Sequence, residues 1–224
     1  MTVISANNRR IIGLFGGTFD PIHRAHLQLA QELADQFCFD EMRLLPCHIP
    51  PHRAAPGVGS QQRAHMVQLA LDELSGSGPC GLQLDCRELQ HEKYSYTIDT
   101  LISVREELGE DVSICLCMGM DSLCNINTWH RWRELLDYSH IVVIPRPGYE
   151  LPDSGPLGLW IESHLGRAES LASAPAGTLL VESCSLMPIS ATGIRESIAR
   201  GQSMSERLPQ SVWQYIVSEG LYRS

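Results

Sequence analysis

The stretch "GLFGGTFDPIHRAHLQLA", residues 13–30, decides the fold class of this chain. It begins with an apolar run that ends at Gly16 and Gly17, and it continues into a segment with the apolar spacing of a helix. His23 and His26 stand three residues apart, on one face of the first helical turn. The stretch therefore predicts a buried strand that turns sharply into a helix, with two imidazoles at the turn.

Strands and helices alternate along the rest of the chain. Strand-like apolar runs occur at residues 9–16, 41–46, 82–86, 112–119, 140–145 and 177–183. Helical spacing occurs at residues 24–37, 62–74, 97–108, 192–200 and 209–218. Continuously apolar strands that alternate with helices are typical of a parallel sheet covered on both faces. We therefore predict an α/β fold: a Rossmann-like, doubly wound parallel sheet with helices on both faces, in a single domain of residues 1–224.

The composition excludes several classes of protein. The chain has 224 residues, a formal net charge of -9 and 43% hydrophobic residues, which is an ordinary globular balance. A nucleic-acid-binding protein normally has a basic face, so we expect no nucleic-acid partner. No apolar run approaches the ~20 residues that cross a bilayer, and the N-terminus lacks the apolar core of a signal peptide. We therefore expect no membrane association.

The cysteines indicate a reducing compartment. No two of them form a CxxC pair, and several lie within apolar strand-like runs. We interpret all eight as reduced core residues of a cytoplasmic protein and not as metal ligands. They are Cys38, Cys47, Cys80, Cys86, Cys115, Cys117, Cys124 and Cys184.

The turn after the first strand has the features of a phosphate-binding site. In a doubly wound sheet the ligand crevice lies at the carboxyl ends of the strands, beside this turn. Glycines let the backbone approach a phosphate, and the helix N-terminus supplies unpaired N–H groups and a positive dipole end. Two alternatives stay open: a tight turn with polar helix-start histidines, and a zinc site, which would favour i,i+4 spacing and a third ligand. No G-x-G-x-x-G opens the first helix, and the chain has no P-loop motif.

Two motifs at opposite ends of the chain carry a resemblance to a known family. "GGTFDPIHRAH", residues 16–26, resembles the GG-[TS]-F-D-P-x-H-x-G-H signature of the nucleotidyltransferase superfamily. Ala25 stands where the signature has a glycine between the two histidines. "ISATGIRESI", residues 189–198, resembles its second hallmark, I-S-x-T-x-[IV]-R. Further segments resemble bacterial nicotinate-nucleotide adenylyltransferases: "PCHIPPHR" (46–53), "SYTIDTL" (95–101), "MGMDSL" (118–123), "NTWHRW" (127–132), "IPRPGY" (144–149) and the tail 208–222.

The resemblance implies adenylyl transfer from ATP, with Mg²⁺ carried by the nucleotide and no metal site in the protein. It assigns catalysis to His23, His26 and Arg195. It places the ATP site mainly in residues 11–30 and 189–200, with the following binding residues: Gly16, Gly17, Thr18, Phe19, His52, Arg53, Asp121, Arg146, Ser190 and Thr192. His48 and His65 have no such support, and we interpret them as ordinary surface histidines.

The acceptor implied by the resemblance is nicotinate mononucleotide, bound by residues 95–100 and 119–132. Thr97 would hydrogen-bond the carboxylate of the pyridine ring, and Trp129, in a polar loop, would stack on the ring. The alternative for Trp129 is a residue that caps the edge of the core, and Trp132 is the second candidate for that packing role.

Other functions stay open at this point. The acceptor could be nicotinamide mononucleotide or another phosphate, and the chain could be a nucleotide-binding module without catalytic activity. The sequence also leaves a homo-oligomer open.

Overall fold

The strand that ends in the two glycines lies at the centre of a parallel sheet. The strands are β1 (Ile11–Gly17), β2 (Glu41–Pro46), β3 (Gly81–Leu84), β4 (Ser113–Gly119), β5 (His140–Ile144) and β6 (Leu179–Val181). The computed structural model describes residues 9–48, 57–74, 80–90, 95–185 and 187–223. In these residues the six strands form one sheet, all parallel, in the order β3-β2-β1-β4-β5-β6.

Helices connect the strands and close the chain. They are α1 (Arg24–Gln36), α2 (Ser60–Leu74), α3 (Thr97–Leu108), α4 (Met120–Leu123), α5 (Leu135–Tyr138), α6 (Gly155–His164), α7 (Glu169–Ser173), α8 (Ala191–Ala199) and α9 (Gln210–Ser218). Short 3₁₀ turns occur at Arg87–Gln90, Ile126–Thr128 and Trp132–Glu134. None of the helices in the described ranges is long and apolar enough to cross a bilayer.

The sheet is covered on both faces because alternate residues of each strand point to opposite sides. On one face Ile11 and Phe15 of β1 pack with α1, α2, α7, α8 and α9, and we call this the first core. On the other face Ile12 and Leu14 pack with α3, α4, α5 and α6, which form the second core. The two layers of helices make the domain an α/β sandwich, as the apolar strands predict.

The topology places a crevice beside β1. From β1 the chain moves through α1 to β2 and then to β3 at one edge, and it returns to β4 on the opposite side of β1. Phe15 of β1 pairs with Leu44 of β2 and with Cys117 of β4, so all three strands end at the same side of the sheet. The order of strands reverses between β1 and β4, and ligands bind doubly wound sheets at such a switch point.

The predicted elements are confirmed, and four helices were missed. All six strands and five helices are present, with ends that differ from the prediction by at most two residues. The additional helices are α4, α5, α6 and α7. Helix α6 begins with Gly155 and Pro156 and exposes Leu159, so neither its start nor its spacing resembles an amphipathic helix.

The core interpretation of the cysteines holds only in part. Cys80, Cys115 and Cys117 are buried, and burial raises the pKa of all three thiols. Cys38 is exposed, so the interpretation is wrong for it: it follows α1 at a left-handed position, with φ +52°, where the chain turns on the surface. The other four cysteines are half-buried.

Candidate functional site

The turn after β1 is shaped by its two glycines and by Phe19. A Cβ atom on Gly17 would lie 2.9 Å from the ring of Phe19, so the turn has no room for a side chain there. Phe19 adopts a left-handed backbone, with φ +48°, and its buried ring packs edge-on against Phe15 and His26. A Cβ on Gly16 would meet no described atom within 4 Å, because Gly16 faces the open crevice.

The two histidines of the opening stretch form one stacked pair. His23 is the N-cap residue of α1, and His26 lies one turn further, so their rings stack with centroids 3.6 Å apart and planes 14° apart. The backbone N–H of His23 donates to Nδ1 of His26 at 3.3 Å, which fixes the orientation of the second ring. Nδ1 of His23 is buried and has no hydrogen-bond partner among the described residues. A ligand in the crevice could satisfy it.

Both imidazoles are held neutral. Burial, and then the positive charge of Arg146, lower the pKa of His23 from 6.5 to about 4. Burial lowers the pKa of His26 well below its usual value, and the nearby His23 and the charge of Arg146 disfavour its protonation further. At neutral pH the pair therefore offers N–H donors to a ligand and no charge of its own.

The N-terminus of α1 is less open than predicted. The backbone N–H of Arg24 donates to the carbonyl of Arg207 at 3.0 Å, and that of His26 donates to the carbonyl of His23 at 2.9 Å. The expectation of unpaired N–H groups is therefore wrong for these two residues: a loop from the C-terminal part of the chain accepts from Arg24, and the N-cap carbonyl of His23 accepts from His26. The side chains of His23 and His26 remain as donors at this end.

Asp20 connects the turn to three distant segments. Its buried carboxylate accepts hydrogen bonds from the backbone N–H of Gly57 and the hydroxyl of Tyr222, both at 2.7 Å. Nη1 of Arg195 donates to the carbonyl oxygen of Asp20 at 2.7 Å and lies 3.7 Å from Oδ2. The two motifs at opposite ends of the sequence thus meet in direct contact.

The second motif starts α8 at the same crevice. Ser190 caps this helix, and its Oγ accepts a hydrogen bond from the N–H of Gly193 at 3.1 Å. Thr192 is exposed, and its hydroxyl accepts from Nη2 of Arg195 at 3.3 Å. The guanidinium of Arg195 is thereby held between Asp20 and Thr192 while about a third of its side chain stays exposed (33%).

Asp121 and Arg146 form an ion pair at the ends of β4 and β5. Asp121 lies at the start of α4, and its Oδ1 is 3.2 Å from Nε of Arg146. Gly119 precedes them, and a Cβ on that residue would collide with both side chains. The positive charge of Arg146 also lowers the pKa of His23 and of His26.

Arg63 is a functional candidate that sequence reasoning missed. It lies on α2, fully buried, and Nη1 donates to the carbonyl of Thr18 at 2.6 Å. Nη2 donates to the carbonyls of Cys47 and His48 at 2.7 and 2.8 Å. The guanidinium therefore ties the end of β1 to the end of β2. A signal was available, since Arg63 shares the buried face of α2 with Met66, Val67 and Ala70 at helical spacing.

The two segments predicted to bind the acceptor lie side by side. Thr97 is the first residue of α3, and the preceding Tyr96 places its ring 4.7 Å from that of His130. Trp129 ends the 3₁₀ turn Ile126–Thr128 and is half-buried at the margin of the second core. The start of α3 and this loop are therefore in direct contact.

The two tryptophans of the loop differ in burial. Trp132 is buried (8% exposed), its ring packs edge-on against Trp160 at 5.0 Å, and the guanidinium of Arg133 covers it at 4.3 Å. Trp132 is therefore a packing residue of the second core. Trp129 is half-buried and also packs against that core, as its core-edge alternative predicts.

Several predicted residues remain to be placed. His52 and Arg53 lie outside the described residues. His65 is exposed, as expected, with its ring against Tyr215. His48 is half-buried and its ring Nδ1 is buried, so its interpretation as an ordinary surface histidine is wrong. Among the described residues, no cluster of three or more His, Cys, Asp or Glu side chains could hold a metal ion.

Comparison with known proteins identifies the family. The sequence model of the cytidylyltransferase-like family matches residues 14–197. A Cellvibrio japonicus protein named "Probable nicotinate-nucleotide adenylyltransferase" is 47% identical over 215 residues, which are 96% of this chain and 100% of that protein. A Yersinia pestis protein of the same name is 40% identical over 222 residues, 98% and 99% of the two chains.

A solved structure has the same fold. Plasmodium falciparum nicotinic acid mononucleotide adenylyltransferase, complexed with NaAD, superposes with a TM-score of 0.71 over 96% of this chain and 98% of that one, at 17% identity. This agreement concerns the fold, whereas the relatives at 40–47% identity extend to the sequence itself. The chain therefore belongs to the cytidylyltransferase-like family and, within it, to the nicotinate-nucleotide adenylyltransferases.

Proposed function

We propose that this protein transfers the adenylyl group of ATP to nicotinate mononucleotide, which yields deamido-NAD and pyrophosphate in NAD biosynthesis. The observation that carries the proposal is the meeting of the two motifs: the stacked His23 and His26 and the guanidinium of Arg195 all border one crevice. The names of relatives at 40–47% identity support the choice of reaction and acceptor. We expect the reaction to take place in the cytoplasm.

The chemistry requires charge stabilisation more than proton transfer. A phosphate oxygen of the acceptor attacks the α-phosphorus of ATP in line, the bond to the β-phosphate breaks, and pyrophosphate leaves with the electron pair. A phosphate monoester has its second pKa near ~6, so the nucleophile is already ionised at pH 7 and needs no general base. Hydrogen-bond donors and cations that meet the developing charge lower the barrier instead.

The neutral histidine pair suits this task. His26 is held by the N–H of His23, and it donates to the α-phosphate as the negative charge builds up. His23 has a buried Nδ1 that no described residue satisfies, and it donates to the same triphosphate. Because neither imidazole has to lose a proton, both stay donors throughout the reaction.

The cations provide the complementary charge. Arg195 and the exposed start of α8, with Ser190 and Thr192, would hold the β- and γ-phosphates as they leave. Asp121 would face the adenosine ribose, with Arg146 beside it. In a chain with a net charge of -9, these basic groups concentrate positive potential at the site. Mg²⁺ enters with ATP as part of the substrate.

Gly16 supports close contact with the nucleotide. A Cβ at this position would meet no atom within 4 Å in the part of the chain that the structure describes, so packing among those residues does not require glycine. A phosphate or ribose that lies directly on the backbone would require it. Gly17, Thr18 and Phe19 continue the same turn and would present their backbone N–H groups to the phosphates.

The acceptor would bind against the start of α3 and the Trp129 loop. An electron-poor pyridine ring stacks well on an indole, and the half-buried Trp129 would offer its exposed part to that ring. Thr97 stands at the first turn of α3, where a hydroxyl and the positive end of the helix both attract a carboxylate. This arrangement favours the acid over the amide form of the mononucleotide.

A direct assay tests the proposal. The protein is incubated with Mg²⁺-ATP and, separately, with nicotinate mononucleotide, nicotinamide mononucleotide and phosphopantetheine, and pyrophosphate release is recorded. We expect release with nicotinate mononucleotide at the highest kcat/KM. Absence of release with every acceptor would instead favour a nucleotide-binding module without catalytic activity.

A further inference from the structure

The C-terminal segment returns to the first motif through a defined helix cap. Gly220, with φ +63°, ends α9, and the N–H groups of Leu221 and Gly220 donate to the carbonyls of Ile216 and Val217. This pattern is a Schellman motif, which reverses the chain direction at the end of a helix. It brings Tyr222 back toward the sheet.

Tyr222 contacts a residue 202 positions away. Its hydroxyl donates to Oδ1 of Asp20 at 2.7 Å, and its ring packs beside Gly57. Burial and the negative charge of Asp20 raise the pKa of the phenol, so its hydroxyl stays protonated and acts as a donor. Asp20 itself is only 4% exposed, so its charge depends on the donors that surround it.

The candidate phosphate-binding arginine lies close to the same carboxylate. Asp20 Oδ2 accepts from Gly57 at 2.7 Å and lies 3.7 Å from Nη1 of Arg195, whereas the carbonyl of Asp20 accepts from that same Nη1 at 2.7 Å. The carboxylate therefore holds Arg195 loosely, while the carbonyl sets its direction. An arginine in this position can still turn N–H groups toward a ligand, because two contacts occupy only part of its five donors.

We propose that Tyr222 is a positioning residue of the active site, which acts through Asp20 to keep the guanidinium of Arg195 available to the leaving phosphates. This inference rests on the proposed function. The Tyr222 hydroxyl satisfies one carboxylate oxygen, so that Asp20 does not draw Arg195 into a close ion pair. Without that hydroxyl the buried carboxylate has one hydrogen-bond donor fewer. It then attracts the guanidinium of Arg195, the nearest cation, into a closer ion pair.

The variant Tyr222→Phe removes the hydroxyl and keeps the ring. We expect the KM for Mg²⁺-ATP to rise threefold to tenfold. The Kd for pyrophosphate, measured by calorimetry, should rise by the same factor. The KM for nicotinate mononucleotide should stay within twofold of that of the original protein. Tyr215→Phe is the matched control, because Tyr215 lies on α9 with its ring against His65, away from the crevice. It should leave all three quantities unchanged.

A double-mutant cycle shows whether the effect passes through Asp20. In an Asp20→Asn background no carboxylate attracts Arg195. Adding Tyr222→Phe to that variant should therefore change its pyrophosphate affinity by less than twofold. Additive effects would overturn the proposal. So would a Tyr222→Phe protein with a lower Tm but unchanged KM for ATP and unchanged pyrophosphate affinity, a result that does not depend on whether the Asn variant folds.

The readouts separate this proposal from the proposed function. Failure of the original protein to release pyrophosphate with any acceptor, combined with normal pyrophosphate binding that weakens in Tyr222→Phe, would contradict the reaction and support the positioning role. If the original protein releases pyrophosphate, and Tyr222→Phe has the same KM for ATP and the same pyrophosphate affinity, only the positioning role is contradicted. If the original protein does not bind pyrophosphate at all, the positioning role is overturned as well, because Arg195 would then not bind a phosphate.

Discussion

The imidazoles of His23 and His26 stack at 3.6 Å, and the backbone N–H of the first donates to Nδ1 of the second. This contact leaves Nε2 of His26 as its remaining ring nitrogen, with the tautomer fixed so that Nε2 carries the proton. Two donors are thereby aligned on one side of the crevice before any substrate is bound. Preorganised donors of this kind stabilise charge that develops in a transition state.

His26→Ala should lower turnover far more than it weakens ATP binding. We expect kcat to fall roughly 10²–10³-fold, as when an oxyanion-hole donor is removed, with KM for ATP changed only slightly. Steady-state kinetics with Mg²⁺-ATP and nicotinate mononucleotide measures both. His65→Ala, at an exposed position on α2, is the control and should retain full activity. Near-normal turnover of the His26 variant would contradict its role in the transition state.

The buried histidines should make stability depend on pH. His23 has its pKa lowered to about 4, so between pH 6.5 and 4 the unfolded chain binds a proton there that the folded chain does not. The free energy of unfolding should therefore fall as the pH decreases through this window, by roughly 3 kcal/mol from His23 alone. Urea denaturation at several pH values measures the slope, which His23→Gln should reduce and His65→Gln should preserve. An equal slope in all three proteins would contradict this assignment.

Thr97 and Trp129 should affect the acceptors differently. Thr97→Val removes a donor to the ring carboxylate, a hydrogen bond worth about 1.5–3 kcal/mol, so the preference for the acid over the amide should fall on the order of 10–100-fold. Trp129→Ala removes stacking and should weaken both acceptors alike. Ratios of kcat/KM for nicotinate and nicotinamide mononucleotide decide the matter. An unchanged ratio in Thr97→Val would place selectivity elsewhere.

The two glycines of the first turn should respond differently to alanine. Gly16→Ala meets no described atom within 4 Å, so Tm should be unchanged while KM for ATP rises about tenfold, equivalent to about 1.4 kcal/mol of lost binding. Gly17→Ala places a methyl group 2.9 Å from Phe19 and should destabilise the fold by about 1–3 kcal/mol. Thermal unfolding and ATP kinetics separate the two effects. A destabilised Gly16→Ala protein with unaltered ATP kinetics would be contrary evidence.

The alternation of apolar strands and helices was sufficient to predict the sheet and the side on which its crevice opens. Strand β1 is apolar throughout because both of its faces are buried, and residues such as Ile12, Leu14 and Phe15 meet that requirement. The spacing of His23 and His26 likewise predicted one shared face, because neighbouring helical positions are set by local geometry. Their roles, and those of the other predicted ATP-site residues, stay predictions.

Contacts between distant segments could be decided only by the tertiary structure. The guanidinium of Arg63 donates to the carbonyls of Thr18 and His48, and the ring of Trp132 packs against Trp160. Neither set of partners follows from the spacing of residues along one helix or loop. Tyr222 meets Asp20 across 202 residues. The periodicity of a sequence records which face of an element is buried, because that depends on neighbours along the same helix or strand. The pairing of polar groups depends on how the elements pack against one another, and a pattern of apolar residues does not specify that packing.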